Sequence, residues 1–289
     1  MFGDWILTGA YVGSKGNHLF MTAQANPAVF GRTGNADQRR LYAPVFASIA
    51  DYSSRANSIY HSMQLSANKR LSRNFTALVS YTWAKLIDDA SSDGDGPANP
   101  FNFRHERGPG DFDLTHRFVG SFLYALPKLS TRPAALRHLL GGWEANGIVT
   151  FESGAWVNIV SGVDNSQAAT NADRADLIGN PFLDTGRARG ELIRQYFNTA
   201  AFRANAAGTF GNVGKNILRG PGLANTDFGL FKNVSLRERL RLQVRGEFFN
   251  LFNRVNLGNP NANQGSAVFG RITSAGPPRV AQVALKLMF

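Results

Sequence analysis

Apolar and polar residues alternate with period two through most of this chain, and no other feature constrains its fold as strongly. Residues 239 to 248 (RLRLQVRGEF) show the pattern most cleanly. Leu240, Leu242, Val244, Gly246 and Phe248 share one parity, while Arg239, Arg241, Gln243, Arg245 and Glu247 share the other. A strand turns successive side chains to opposite faces and so separates these sets, whereas a helix would mix them. In NFTALVSYTWAK (74 to 85), Phe75, Ala77, Val79, Tyr81 and Trp83 oppose Thr76, Ser80 and Thr82. In GWEANGIVTFES (142 to 153), Trp143, Ala145, Gly147, Val149 and Phe151 oppose Glu144, Asn146, Thr150 and Glu152. SIYHSMQLSANKR (58 to 70) sets Ile59, Met63, Leu65 and Ala67 against Ser62, Gln64, Ser66 and Asn68. Further strands are predicted at about 4 to 13, 114 to 126, 224 to 236 and 279 to 289, eight in all.

The connections are lopsided. LSRN (71 to 74) joins the second and third strands, and RE (237 to 238) joins the sixth and seventh. Residues 127 to 142 link the fourth and fifth and have room for a helical turn. The remaining joins are long, at about 25–55, 89–112, 162–222 and 256–278, and are rich in Gly, Asn, Pro and Asp. Short and long joins alternate strictly, so an antiparallel meander places every long loop on one side. Soluble β-domains usually connect strands with about four to six residues at both ends. Outer-membrane barrels combine short periplasmic turns, long extracellular loops and aromatic girdles. Trp5, Tyr11, Tyr81, Trp83, Tyr124 and Trp143 lie towards strand ends, as girdles require.

Alternation alone leaves two folds open. In a soluble sandwich the leucines of 239 to 248 face inward and the arginines meet water. In a barrel Leu240, Leu242, Val244 and Phe248 face lipid, and Arg241, Gln243, Arg245 and Glu247 line a wet interior. The formal charge of +11 raises nucleic acid or anionic lipid as partners, but the basic residues are dispersed, which argues against a nucleic-acid arm. With no cysteine, thiolate metal sites, disulfides and a cysteine nucleophile are excluded. No run approaches eighteen apolar residues, so any membrane crossing is made by strands. Residues 1 to 20 do not read as a signal peptide, since Asp4 stands where a basic region is expected.

The end of the chain favours the barrel. VAQVALKLMF keeps its alternation to the last residue, Phe289. The stretch resembles the C-terminal signal by which outer-membrane barrels are recognised for assembly. Gln282, Leu285, Leu287 and Phe289 carry that likeness, with Ala284 where glycine is usual. Two residues break the apolar parity: Lys232, among Phe228, Leu230, Val234 and Leu236, and His61. A lysine at mid-bilayer costs roughly 2–4 kcal/mol, falling towards zero near the interface. Lys232 is therefore expected to reach the headgroups from the short-turn end, unless a bulge shifts its parity.

Longer phrases carry a family likeness. AYVGSKGNHL (10 to 19), YHSMQLSANKRLSRNFTALVSYTWAKLIDD (60 to 89), DFDLTHRFVGSFLYALP (111 to 127), FGNVGKNILRGPGLANTDFGLFK (210 to 232), LQVRGEFFNLFNRVNLGNP (242 to 260) and FGRITSAGPPRVAQVALKLMF (269 to 289) resemble the C-terminal part of TonB-dependent outer-membrane receptors of the Oar-like type. The resemblance implies an all-β, antiparallel up-and-down transmembrane barrel segment, one arc of a wall of about 22 strands. It implies outer-membrane lipid, the barrel-assembly machinery, the rest of the receptor with its plug, and TonB through that plug, as partners. It implies no cofactor, no catalytic residue and no nucleic acid. No plug, TonB box or signal peptide is read in the chain, so a truncated or mis-started piece is expected. Taken alone, such an arc would expose an unpaired edge and an apolar face. A small self-contained barrel with an adhesive role and a soluble sandwich binding acidic polymers are the alternatives.

Three motifs were weighed for chemistry. DDASSDGDG (88 to 96) is dense in carboxylates but lacks the ordered spacing of a calcium loop. Asp113, His116 and Ser121 have no nucleophile elbow around them. FGNVGKNILRGPG (210 to 222) matches neither phosphate-binding glycine pattern.

Overall fold

The computed structural model describes residues 3–92, 94–127, 129–131, 133–170, 173–237 and 240–289. Eight long strands form one antiparallel sheet in strictly sequential order. They are β1 (Trp5–Gln24), β2 (Ala50–Ser72), β3 (Phe75–Asp88), β4 (His116–Ala125), β5 (Trp143–Glu152), β6 (Leu223–Arg237), β7 (Leu240–Phe249) and β8 (Val280–Met288). The sheet does not close on itself among the described residues: β1 pairs only with β2 and β8 only with β7. Among the described residues no helix is long and apolar enough to cross a membrane, which says nothing of strands.

The short joins lie at one end. Arg73 and Asn74 both hold positive φ (48° and 62°), the conformation of a tight turn that continues the strand twist, and Ser72 pairs with Phe75 across it. The β4–β5 join carries helix α1 (Ala134–Leu140), about two turns where one was expected. Of the expected short join at 237 to 238, Glu238 lies outside the described residues, as does Arg239.

The first hairpin is longer than its alternation. β1 was expected to end near residue 13 and its loop to reach 55, yet β1 runs to Gln24 and β2 begins at Ala50. Residues 14 to 24 lack a period-two signal because the ladder slips there, between Gly16 and Leu19 and again between Leu19 and Phe20. Each slip resets parity, so backbone pairing continues where the side-chain pattern does not.

Register sorts the side chains into two faces. Leu242 pairs with Val234 and Leu287, and Val244 with Lys232 and Leu285. Phe248 pairs with Phe228 and Ala281, and Phe118 with Tyr81 and Phe151. This face is apolar and open: Leu285 is 70% exposed and Val283 81%. From Phe75 near the short turns to Trp83 near the loops the strand rises about 26 Å, or ~20 Å of height at a usual barrel tilt.

The buried core lies elsewhere, in the long loops. Val157, Ile159, Phe197, Phe202, Val213 and Leu218 form it, with Phe269 packed alongside. The rings of Phe197, Phe202 and Phe269 meet edge to face with centroids 5.1 to 5.9 Å apart, the arrangement their quadrupoles favour. Small ladders brace this lobe: Trp156–Val157 with Leu218–Arg219, and Asp176–Leu177 with Phe202–Arg203. The long joins are therefore a packed lobe at one end of the sheet.

Candidate functional site: polar face and loop lobe

The second face of the sheet carries a hydrogen-bonded polar ladder. Arg245 Nε donates to Gln243 Oε1 at 2.5 Å, Gln243 Nε2 to Asn233 Oδ1 at 2.8 Å, and Asn233 Nδ2 to Glu144 Oε1 at 3.2 Å. Three strands are thus joined by side chains, and Phe231 sits under the Arg245 guanidinium at 5.0 Å. Arg241 and Glu247 share this parity, opposite Met288 and Gln282 of β8. Leu240, Leu242, Val244 and Phe248 occupy the other face. Of the four C-terminal signal positions, Gln282 lies on the polar face, Leu285 and Leu287 lie on the apolar face, and Phe289 follows β8 at 94% exposure.

Both parity breaks find partners. Lys232 stays on the apolar face, because the register shift falls later, between Ser235 and Arg237. Its Nζ donates to the carbonyls of Gly141 (2.6 Å) and Leu139 (3.3 Å) at the end of α1 and stands 5.1 Å from the Trp143 ring. His61 Nδ1 is hydrogen-bonded to the Tyr11 hydroxyl at 2.6 Å, with the rings stacked.

The lobe is fastened to the strand ends by charges shielded from water. Lys215 Nζ donates to Asp88 Oδ1 at 2.5 Å, joining the β5–β6 loop to the end of β3. Arg174 donates through Nη2 to Glu106 Oε2 and through Nη1 to the His105 and Val213 carbonyls. Burial, followed by the neighbouring Arg174 charge, pushes the His105 imidazole below its ordinary pKa. Burial alone would raise the Asp113 carboxyl. Donors from Leu86 N–H, Trp156, Arg219 and Thr115 outweigh it and hold Asp113 below the usual carboxylate value. Arg219 also stacks on Trp156, 4.0 Å from the ring centroid. The crossing there is tight: a Cβ on Gly154 would lie 1.8 Å from the Gly220 carbonyl oxygen.

A cavity of about 440 Å³ opens where the lobe meets the tops of β1 and β2. Gln24, Asp95, Asn158 and Thr170 give it hydrogen-bonding walls, and the Glu106–Arg174 pair borders it. Ala23, Ala50, Pro97, Ala98 and Val160 complete a mixed lining.

The three motifs resolve into structural roles. Asp88 is held by Lys215 and Ser91, Asp89 by Arg107 and Asn57, and Asp95 by Ser91 and Ser92. Asp93 lies outside the described residues. Asp113 serves Trp156, Arg219 and Thr115, while His116 Nδ1 meets the Tyr81 hydroxyl at 2.8 Å. Ser121 lies on the opposite face from His116. Within 210 to 222, Lys215 and Asn216 are buried as ties to the β3–β4 loop. Sequence reasoning passed over Arg174, an isolated base in a loop, and weighed Lys215 and Arg219 only as part of a glycine-rich phosphate motif; the partner of each is remote in sequence.

Comparison with known proteins agrees with this geometry. A family model described as "Outer membrane beta barrel domain" matches residues 1–282. No curated protein matches the chain. Among solved structures the chain is similar to the outer membrane transporter YddB from Escherichia coli, with a TM-score of 0.54 and 10% identity. The match covers 98% of this chain and 30% of the transporter's, so the chain spans about a third of that protein's length. At this identity the likeness speaks for the fold.

Proposed function

The chain belongs to the outer membrane β-barrel domain family and is a protein of the bacterial outer membrane, and on that premise we propose that it forms part of the barrel wall of a TonB-dependent receptor of the Oar-like type. The observation that carries this reading is the open eight-strand sheet, both of whose edges are unpaired among the described residues. An unpaired edge in hydrocarbon leaves a row of backbone groups without partners, so further strands are needed to close the wall. In this reading the apolar face meets lipid, and the Glu144–Asn233–Gln243–Arg245 ladder faces the lumen beside a plug. The loop lobe stands outside the cell and presents its cavity to the incoming ligand. The C-terminal strand, with Gln282, Leu285, Leu287 and Phe289, engages the assembly machinery. TonB supplies energy through the plug, and this chain's part is ligand-facing and structural, without catalysis.

Antibody against the 162–222 loop tests it on fractionated outer membranes. A band far heavier than 31.5 kDa, whose ligand uptake stops when TonB is removed, is expected. An outer-membrane band near 31.5 kDa would overturn the receptor reading in favour of a self-contained barrel.

A further inference from the structure

We propose that the apolar face carries, at the loop end of β1 to β3, a binding site for a phosphorylated, multiply acylated glycolipid of the outer leaflet. The proposal rests on the orientation given above, with the long loops outside the cell.

Register builds the site in rows. Tyr11, Met63 and Trp83 lie side by side across the three strands. The next row towards the loops holds Gly13, His61 and Lys85, and the one beyond it holds Lys15, Ile59 and Ile87. Below the aromatic row are Gly9, Leu65 and Tyr81. The two lower rows are apolar and aromatic, each of the two upper rows carries one lysine, and none of the four contains a carboxylate. A groove of about 450 Å³ takes in Tyr11, Met63, Trp83, His61 and Lys85 from these rows and runs on beneath the lobe, where its one carboxylate, Asp113, is paired with Arg219.

The contrast with the other end of the face identifies the ligand's charge. There, Lys69 reaches Ser72 at 2.6 Å, Asp4 at 3.5 Å and the Trp5 ring, and Lys232 caps the carbonyls of α1. At the loop end Lys15 and Lys85 are exposed, and among the described residues no hydrogen bond, ion pair or ring contact engages their ammonium groups. His61 uses Nδ1 on Tyr11, which leaves Nε2 open. Two unpartnered cations, with the one neighbouring acid, Asp113, already taken by Arg219 and Trp156, select an anionic group. Strands lie about 4.8 Å apart, so Lys15 and Lys85 are separated sideways by about 10 Å, within reach of one headgroup from two flexible stems. The exposed surfaces of Tyr11, Met63 and Leu65 directly below take the acyl chains. A water-borne anion would gain nothing from that apolar wall, and a zwitterionic lipid would bring its own cation to a cationic site.

The test uses the whole protein that carries this chain, purified from outer membranes in mild detergent. Four forms are compared: wild type, Lys15→Gln/Lys85→Gln, Lys15→Arg/Lys85→Arg, and Lys69→Gln at the opposite end of the face. Heat-dependent gel mobility checks that each is assembled. Lipopolysaccharide retained per protein is read by phosphate and by native mass spectrometry. Retention is expected to fall roughly twenty-five-fold in the glutamine pair, since each lysine near an anionic lipid surface contributes about a factor of five. The arginine pair and Lys69→Gln should retain it as wild type does. Equal retention in all four forms overturns the site. Orientation is checked separately by labelling Val163→Cys on intact cells with a membrane-impermeant maleimide. Labelling with equal retention overturns the lipid site alone, while no labelling overturns the orientation as well.

Discussion

Arg174 and Glu106 form an ion pair whose side chains are 2% and 8% exposed, joining the β5–β6 loop to the β3–β4 loop. Attraction between buried charges is strong, but so is the cost of removing them from water, and replacing both with well-packed apolar residues is often neutral. What the pair contributes is registry: either charge left alone in that position is costly, so the two loops meet in one arrangement. Among the described residues Arg174 Nε and Asp173 Oδ1 have no hydrogen-bond partner, so further loss of polar contacts in the lobe is costly.

Glu106→Gln should therefore destabilise the lobe by about 3–5 kcal/mol. The change should leave the strands assembled and expose the 162–222 loop to protease. Limited proteolysis of the membrane-embedded protein reads this directly, and equal cleavage rates in wild type and variant would remove the argument. A paired Glu106→Leu/Arg174→Met replacement should recover most of the loss.

Asp113 gives the lobe a pH dependence. Its folded pKa is depressed, so its contribution to stability is fully present above the ordinary carboxylate value and is lost as pH falls through the lower folded value. Hydrogen exchange of the Leu86 amide, which donates to Asp113, should be slow at pH 6. It should quicken, beyond the chemical effect of pH, only below the usual carboxylate range. Asp113→Asn should flatten that acid limb and leave the region weaker at every pH.

Opposite outcomes are expected from neighbours on one strand. Val244→Arg places a cation on the apolar face and should cost roughly 2–4 kcal/mol at mid-membrane, less towards an interface. Gln243→Arg, one residue away on the polar face, should be tolerated. Unfolding in lipid vesicles measures both. A larger penalty at Gln243 would mean that the faces are reversed.

Lys232 is expected to act through its carbonyl partners. Lys232→Glu sets a carboxylate against the Gly141 and Leu139 carbonyls at the C-terminal end of α1, where negative charge is unfavourable. The β4–β5 join should loosen and the Trp143 fluorescence maximum should shift to the red, whereas Lys232→Arg should change little.

Gly154→Ala should be among the most damaging single-methyl changes. The added carbon would meet the Gly220 carbonyl oxygen, which belongs to backbone and has no side chain to swing aside. Loss of the lobe's protease resistance, with the strands still heat-modifiable, is the outcome that fits. A fully resistant variant would mean that the crossing can open.

The sequence by itself determined the strands and their two faces. In RLRLQVRGEF the parity of Leu242 and Arg241 follows from pleat geometry alone, and it holds without knowledge of any partner strand. The strict alternation of short and long joins then set all the loops at one end, and the family likeness agreed with both. The same local rule could not see past a register slip, so the upper half of β1, from Ser14 to Gln24, stayed illegible. The loop lobe was decided only by tertiary structure. Phe197, Phe202 and Phe269 have no common period, and Arg174, Lys215 and Arg219 meet partners 68 to 127 residues away. Contacts of that kind are selected by shape and charge once the chain has returned to the same place, and no local spacing records them. The loop-end lysines fall between the two cases. The parity of Lys85 is written in the sequence and that of Lys15 is not, and the two become one basic patch only when β1, β2 and β3 pair in register.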